Sequence, residues 1–501
     1  MVERHIVIVG GGFTGTALAI HLARLGSAGL TVTVIEPRHQ LGQGVAYGTD
    51  DPAHRINVPA ARMQLSAAQE GEFDQWYRAS AACAQDPAAR WHDGKIYPQR
   101  GQFGAYVAEQ FAQAARTSAV SLRHVQDRAV ALRHHAIVTA SGAVFQADEV
   151  VLAISHPPPA LPQILQRWLA GEHGQNRAAE RTGDAGSASP AALIANPWQK
   201  NALATVGADD RIAIIGSGLT MSDVVASLHR QGHRGQIVAF SRRGQLPRDN
   251  VSGDYPARPL DYQRPQAATA LGWLRRVRQE VARAAEDGVP WQLVLDDIRL
   301  NGQRIWQQLP VAEQRRFLRH LRPWWDVHRY RIAPQVSEIL NQSQASGRLH
   351  VLAARLTAVR SAEQGIQLTL QPRRGVRAAW PEWSEQPGLH VDKLIVTTGP
   401  AHGALLNSDA LLHQLAEAGE IQADPLALGI LVNAHSQAVN QHGFANSHLH
   451  VVGPAARGRF GELMGLPQVA EHAETLAYQL LGKTPHPQKS STDVLKTIPL
   501  E

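Results

Sequence analysis

Two glycine-rich turns, each closing a short apolar strand, carry the most legible chemistry of this chain. The first is IVIVGGGFTG, with Gly10, Gly12 and Gly15 in a G-x-G-x-x-G frame. The first glycine of such a frame permits a tight turn, and the second lets the backbone approach a pyrophosphate. The third lets the following helix pack on the strand. Free N–H groups at the start of that helix, around Thr14, then face the diphosphate, where the helix dipole favours negative charge. Glu36 ends the next apolar strand, where a carboxylate can accept hydrogen bonds from an adenosine ribose. The second turn, IAIIGSGLTM, repeats Gly216 and Gly218 but has Met221 in the third glycine position. Its next strand ends in Ser241-Arg242-Arg243, not in an acid. Arginine there can clamp a ribose 2′-phosphate that a carboxylate would repel, which favours NADPH over NADH. Pairing of these arginines with surface carboxylates is the plainer alternative. One such turn implies one dinucleotide. Two imply electron transfer between a flavin, FAD, and a nicotinamide.

Other residue types narrow that electron chemistry. Cys83 is the single cysteine, so neither an internal disulfide nor a C-x-x-C pair exists. Disulfide reduction, the commonest task of two-dinucleotide flavoproteins, is thereby removed. The 24 histidines lack metal-ligand spacing and form no H-E-x-x-H. A G-x-S-x-G nucleophile elbow is also missing. Directly after Glu36 runs GQGVAYGTDDPAHRINVPAARMQLS, a loop placed to pass a flavin ring. His54, Arg55, Asn57, Met63 and Gln64 are its candidates for contact with the ring or the ribityl chain, against the reading of a well-bonded loop. Further on, WWDVHRYRIAP sets His328, Arg329 and Arg331 beside Trp324. These suit either an anionic planar substrate or the joining of domains.

The elements that must position these residues follow from hydrophobic pattern. Residues 5–36 read as strand, turn, helix and strand, the opening of a parallel sheet. The same order recurs from Arg211 to Arg243. The pattern predicts an α/β fold with two Rossmann-like dinucleotide-binding domains, the second inserted in the first and carrying a helical insert. The expected division is an FAD domain over 1–160, a linker over 161–208 and an NAD(P)H domain over 209–390, with helices over about 266–347. The FAD domain resumes over 391–485 and a tail follows from 486 to 501. Residues 171–192 read as a flexible excursion and the polar tail as frayed.

Composition sets outer limits. With 44% hydrophobic and 18% charged residues the chain reads as an ordinary globular protein. A net charge of +6 without a basic stripe argues against nucleic acid as a partner. An apolar strand from residue 5 predicts no leader peptide, and no uncharged run is long enough to span a bilayer. The expectation is a cytoplasmic enzyme whose partners are a small-molecule substrate and oxygen.

With these residues assembled, the chain resembles a bacterial family of FAD/NAD(P)-binding oxidoreductases. The resemblance rests on IVIVGGGFTG, GVAYGTDDPAHRINVPAARM, IAIIGSGLTMSDVV and HVVGPAARGRFGE, and spans most of the chain. More distantly it is similar to flavin N-hydroxylating and Baeyer–Villiger monooxygenases, with Met63-Gln64-Leu65-Ser66 matching a flavin-side segment of the N-hydroxylases. The resemblance implies that the chain returns to FAD at Gly453, although Pro454 stands where an aspartate is usual. It implies a single-component monooxygenase in which NAD(P)H reduces FAD and one atom of oxygen passes to substrate. Its most specific precedent is a urate hydroxylase forming 5-hydroxyisourate, for which Arg329 or Arg331 would suit the planar anion. N-hydroxylation of an amine or amino acid is the alternative activity, and a non-catalytic FAD-binding regulatory protein the alternative without one.

Overall fold

The computed structural model describes residues 3–154, 156–171, 192–262, 267–374, 380–381 and 387–484. The excursion expected over 171–192 and the tail after Lys483 fall almost wholly outside the described residues.

The first glycine turn emerges from the middle of a six-stranded sheet. Its order is Gln437–Val439, Ala445–Val451, Glu149–Leu152, Arg4–Val9, Leu30–Ile35 and Ser121–Val125. All neighbours run parallel except the first pair. Strands covered on both faces read as continuous apolar runs, and Ile6, Val7 and Ile8 are fully buried. One face carries helix Phe13–Leu25, packed between helices Arg100–Thr117 and Gln468–Leu480. A three-stranded antiparallel sheet, Ala129–Arg133, Ala136–Thr139 and Val144–Gln146, packs with helix Ala410–Glu417. Val9 lies level with Ile35 on one side and Leu152 on the other. The turn after Val9 therefore opens at a switch point in strand order, where open α/β sheets bind ligands.

A second sheet repeats this plan. Its order is Gly388–Val391, Ile366–Pro372, Leu349–Ser361, Ile237–Ser241, Ile212–Ile215, Lys393–Val396 and Leu193–Ile194. Ile215 ends level with Phe240 and Val396. Two sequence expectations need correction here. The strand Lys393–Val396, assigned to the returning part of the first domain, pairs instead with Ile212–Ile215. Leu193–Ile194, assigned to the linker, adds a parallel edge strand to the same sheet. A short apolar run shows that a strand is buried but not which sheet buries it.

Between Ala270 and Ala345 the chain is helical, and its last helix, Pro334–Ala345, packs on Leu219–Arg230. Ion pairs tie the domains together. Arg100 makes a two-point bond to Asp223, both contacts at 3.0 Å and both side chains buried. His54 Nε2 lies 3.0 Å from Ser227 Oγ, and Arg230 pairs with Asp51 at 3.0 Å. Among the described residues no helix is long and apolar enough to cross a membrane, and no cluster of histidine, cysteine or carboxylates could hold a metal ion.

Candidate cofactor and substrate sites

The first fingerprint builds a cavity of about 610 Å³. Gly10 takes φ +102°, and a methyl on it would meet Ala153 O at 2.9 Å. At Gly12 the space is open, with Gly44 Cα nearest at 3.5 Å, so a bulky phosphate can approach this backbone. Gly15 lies beneath the turn, where a methyl would overlap the carbonyl oxygen of Gly10. Gly10, Gly12, Thr14 and Glu36 line the cavity. Glu36 is 4% exposed. It accepts from Gly11 N–H at 2.8 Å, and from the backbone N–H and guanidinium of Arg38, both at 3.0 Å. A carboxylate offers about four acceptor positions, so one remains for a ribose hydroxyl.

The returning segment closes this cavity from the other side. Gly453 takes φ +82°, and a methyl on it would strike the Thr14 side chain. Its N–H donates to His472 Nδ1 at 3.1 Å, which leaves Nε2–H to donate to Ser436 Oγ at 2.8 Å. Burial holds His472 down to about 4, so the ring stays neutral. Pro454, Gly465, Leu466 and Val469 complete this wall.

Of the long loop, the part lining the cavity is its beginning, Gln43 to Tyr47. Asn57, Met63 and Gln64 do not line it. Asn57 O accepts from Asn250 Nδ2 at 2.9 Å, Met63 is buried in the main core, and Gln64 is half-buried. The short helical turn Ala60–Arg62 bonds Met63 N–H back to Ala60 O and directs its side chain inward. Arg55 pairs with Asp86 at 2.8 Å, so much of this loop serves packing and domain contact.

The second fingerprint is open in a similar way. Gly216 takes φ +116° and backs onto Thr397, while a methyl on Gly218 would meet nothing within 4 Å. Ser241 Oγ accepts from Gly244 N–H at 2.9 Å and lies 2.8 Å from Ser217 Oγ, which itself donates to Gln245 O at 2.6 Å; these bonds shape the turn carrying the arginines. Arg243 lies over the Trp324 ring at 5.2 Å. Burial, then the charges of Arg373 and Arg242, lower its pKa. Arg373, missed by sequence reading, sits about 130 residues away in the chain with no motif to mark it. Among the described residues no carboxylate pairs with these three arginines. The donor set fits a 2′-phosphate.

Beside the first cavity lies another of about 720 Å³, lined mainly by the helical insert. Trp273, Trp291, Trp306, Leu295 and Ile298 form its apolar wall, and Met464 lines both cavities. The three substrate candidates divide. His328 lines this cavity, its Nδ1 2.7 Å from Trp324 O. Arg329 is buried against Glu462, stacks 4.1 Å over Tyr330, and leaves Nη2 without a partner among the described residues. Gly465, on the wall of the first cavity, lies against that guanidinium. Arg331 is spent on a two-point bond to Asp296, at 2.8 and 3.2 Å, and lines neither cavity. A fully paired arginine offers an anion little, so Arg331 is a structural residue. Arg457, from the motif HVVGPAARGRFGE, lines the insert cavity, a role that the reading of Gly453 and Pro454 in that motif does not give.

Comparison with known proteins bears on the fold that carries these sites. Residues 7–157 match the FAD-NAD(P)-binding family model. No curated protein is matched by the sequence. Over its whole length the chain is similar in structure to an ornithine hydroxylase from Pseudomonas aeruginosa, at TM-score 0.57 and 14% identity, covering 96% of this chain and 99% of that one. The ornithine N-hydroxylase of Kutzneria sp. 744, solved with reduced FAD, NADP+ and L-ornithine, gives the same values. An L-lysine 6-monooxygenase from Pseudomonas syringae gives TM-score 0.55 and 15% identity, again over 96% and 99%. Residues 7–157 are thus an FAD-NAD(P)-binding domain, set within a mixed α/β chain whose fold these flavin enzymes share.

Proposed function

We propose that the chain is a single-component, FAD-dependent monooxygenase that draws electrons from NADPH or NADH and oxygenates a small molecule held by the helical insert. The carrying observation is the wall shared at Met464, which makes a molecule in the insert cavity the neighbour of whatever fills the first. FAD, when bound, supplies electron storage and oxygen activation. The chain supplies the rest. Backbone N–H groups at Gly12 to Thr14 hold the pyrophosphate, and Glu36 with Arg38 holds the adenosine ribose. Arg242, Arg243 and Arg373 hold the 2′-phosphate. Arg329 presents a buried donor beside Gly465, and the tryptophan wall gives a substrate apolar surface to pack on. Cys83, lacking a second cysteine, leaves no dithiol to take the electrons.

Urate gains no support from the site. It carries N–H and C=O groups on every edge, and the insert cavity offers it a largely apolar wall. N-hydroxylation is the reading favoured by the whole-length neighbours. The purified protein is expected to be yellow, to bleach anaerobically with NADPH, and to consume NADPH faster with substrate while releasing little peroxide. A flavin that stays oxidised under both NADPH and NADH sinks the monooxygenase reading and leaves a binding protein. Stimulation by urate would restore the purine assignment, and a hydroxylamine product would establish N-hydroxylation.

A further inference from the structure

We propose that the insert cavity binds a substrate with a bulky aromatic or branched apolar body and one anionic group, and that Arg457 receives the anion beside Met464. The proposal rests on the monooxygenase reading only in calling the bound molecule a substrate.

Size and wall chemistry set the body. A cavity of about 720 Å³ is as large as the one under the first fingerprint and far exceeds what a small amino acid fills. Trp273, Trp291, Trp306, Leu295, Ile298 and Phe317 surround it with ring faces and branched carbons. An apolar wall gains by burying apolar surface and loses when it strips water from polar edges.

Charge accounting sets the head group. The carboxylates on the wall are already engaged, Asp326 by Arg322 at 3.3 Å and Glu462 by Arg329. A protonated amine would find no free counter-ion on this wall among the described residues, whereas the neutral amine that N-hydroxylation uses needs none. Arg457 is the reverse case. It is 4% exposed, donates Nε–H to Leu428 O at 3.1 Å, and points one terminal nitrogen at Met464 Sδ, 2.9 Å away. Its other terminal nitrogen has no partner among the described residues, and no carboxylate lies within ion-pair distance. Burial, and then the charge of Arg322, lower its pKa to about 10, still far enough above neutrality to keep it charged. Burial and Arg457 drive His402 down to about 3, so that neighbour stays neutral. Asp326 and Asp424 act on Arg457 only from beyond ion-pair distance, and Asp424 is taken up by the backbone N–H groups of Leu426, Leu428 and Gly429. A buried guanidinium without a direct ion-pair partner is costly, and an incoming anion reduces the cost. Arg457 lines the insert cavity and not the first one, which directs it to the substrate and away from the flavin.

The test uses oxidised, FAD-loaded full-length protein without nicotinamide, followed by quenching of tryptophan fluorescence. The probes are naphthylacetate, its neutral amide naphthylacetamide, and acetate. Naphthylacetate is expected to bind at least ~10-fold more tightly than the amide, the margin one charge-assisted hydrogen bond supplies, and acetate not at all. Arg457→Met should bind acid and amide alike while keeping its flavin. Arg457→Lys should recover part of the preference. Ile298→Trp, which fills the cavity, should weaken both naphthyl probes without touching Arg457. Equal binding of acid and amide by the unaltered protein overturns the proposal, as does loss of flavin from Arg457→Met with the preference intact. Because no reduction is involved, a failed NADPH assay beside the expected binding would sink only the monooxygenase reading.

Discussion

The two glycine turns begin alike and diverge at their third position. Gly10 and Gly216 both take positive φ, and both back onto the end of a neighbouring parallel strand, at Ala153 and Thr397. Gly12 and Gly218 both leave open space for a phosphate. At the third position a methyl on Gly15 would run into the Gly10 carbonyl and come within 3.1 Å of Ala153 Cβ. Met221, by contrast, is fully buried in the core. The first two glycines answer to the phosphate, and the third answers only to how closely the helix lies on the strand.

The sharpest way to break that comparison is to exchange the third residues. Gly15→Val should abolish FAD retention and leave a colourless, poorly folded protein, because the overlap is with backbone and cannot relax. Met221→Ala should leave flavin and the NADPH KM in place and cost about 2–5 kcal/mol of stability, the usual penalty of a large-to-small core change. Urea unfolding with flavin absorbance as a second probe separates the two results.

The seam between the two domains comes next. Asp223→Asn or Arg100→Met breaks a buried two-point pair and should cost about 3–5 kcal/mol, read as a lower unfolding midpoint. If the domains unfold in two separate steps after that change, the pair is what couples them.

The charge at the two ribose ends offers a smaller effect. Arg242→Gln with Arg243→Gln should raise the KM for NADPH about tenfold or more and leave NADH unaffected, the loss expected for charge-assisted bonds to a phosphate. Arg373→Gln should reproduce part of it. An equal effect on both nucleotides would return these arginines to the surface.

The smallest effect is in pH. His21 and His472, both in the first domain, are held near 4 by burial, against 6.5 when unfolded. The unfolded chain therefore binds more protons as pH falls below 6.5. Stability is complete above that value and declines by about 1.4 kcal/mol per pH unit for each histidine towards pH 4. His472→Gln should flatten the slope for flavin release. An unchanged slope would place the acid sensitivity elsewhere.

Much of this was legible in the sequence for local reasons. Gly10, Gly12 and Glu36 sit in one strand-turn-helix-strand unit, where spacing along the chain is also spacing in space. Asn57, Met63 and Gln64 were less legible, because a loop's composition does not say which of its residues turn inward. Arg373 and Arg457 carried no local signal for their roles, since each acts with residues far away in the chain.

What the sequence determined alone was the pair of dinucleotide turns, the acid after one and the arginines after the other, and the lack of a second cysteine. These depend on backbone freedom and on residue type at short range. Only the tertiary structure decided that Lys393–Val396 belongs to the second sheet, that Arg331 is consumed by Asp296, and that Met464 joins two cavities. Each of those depends on which distant groups burial brings together, and a partner a hundred residues away leaves no mark on local spacing.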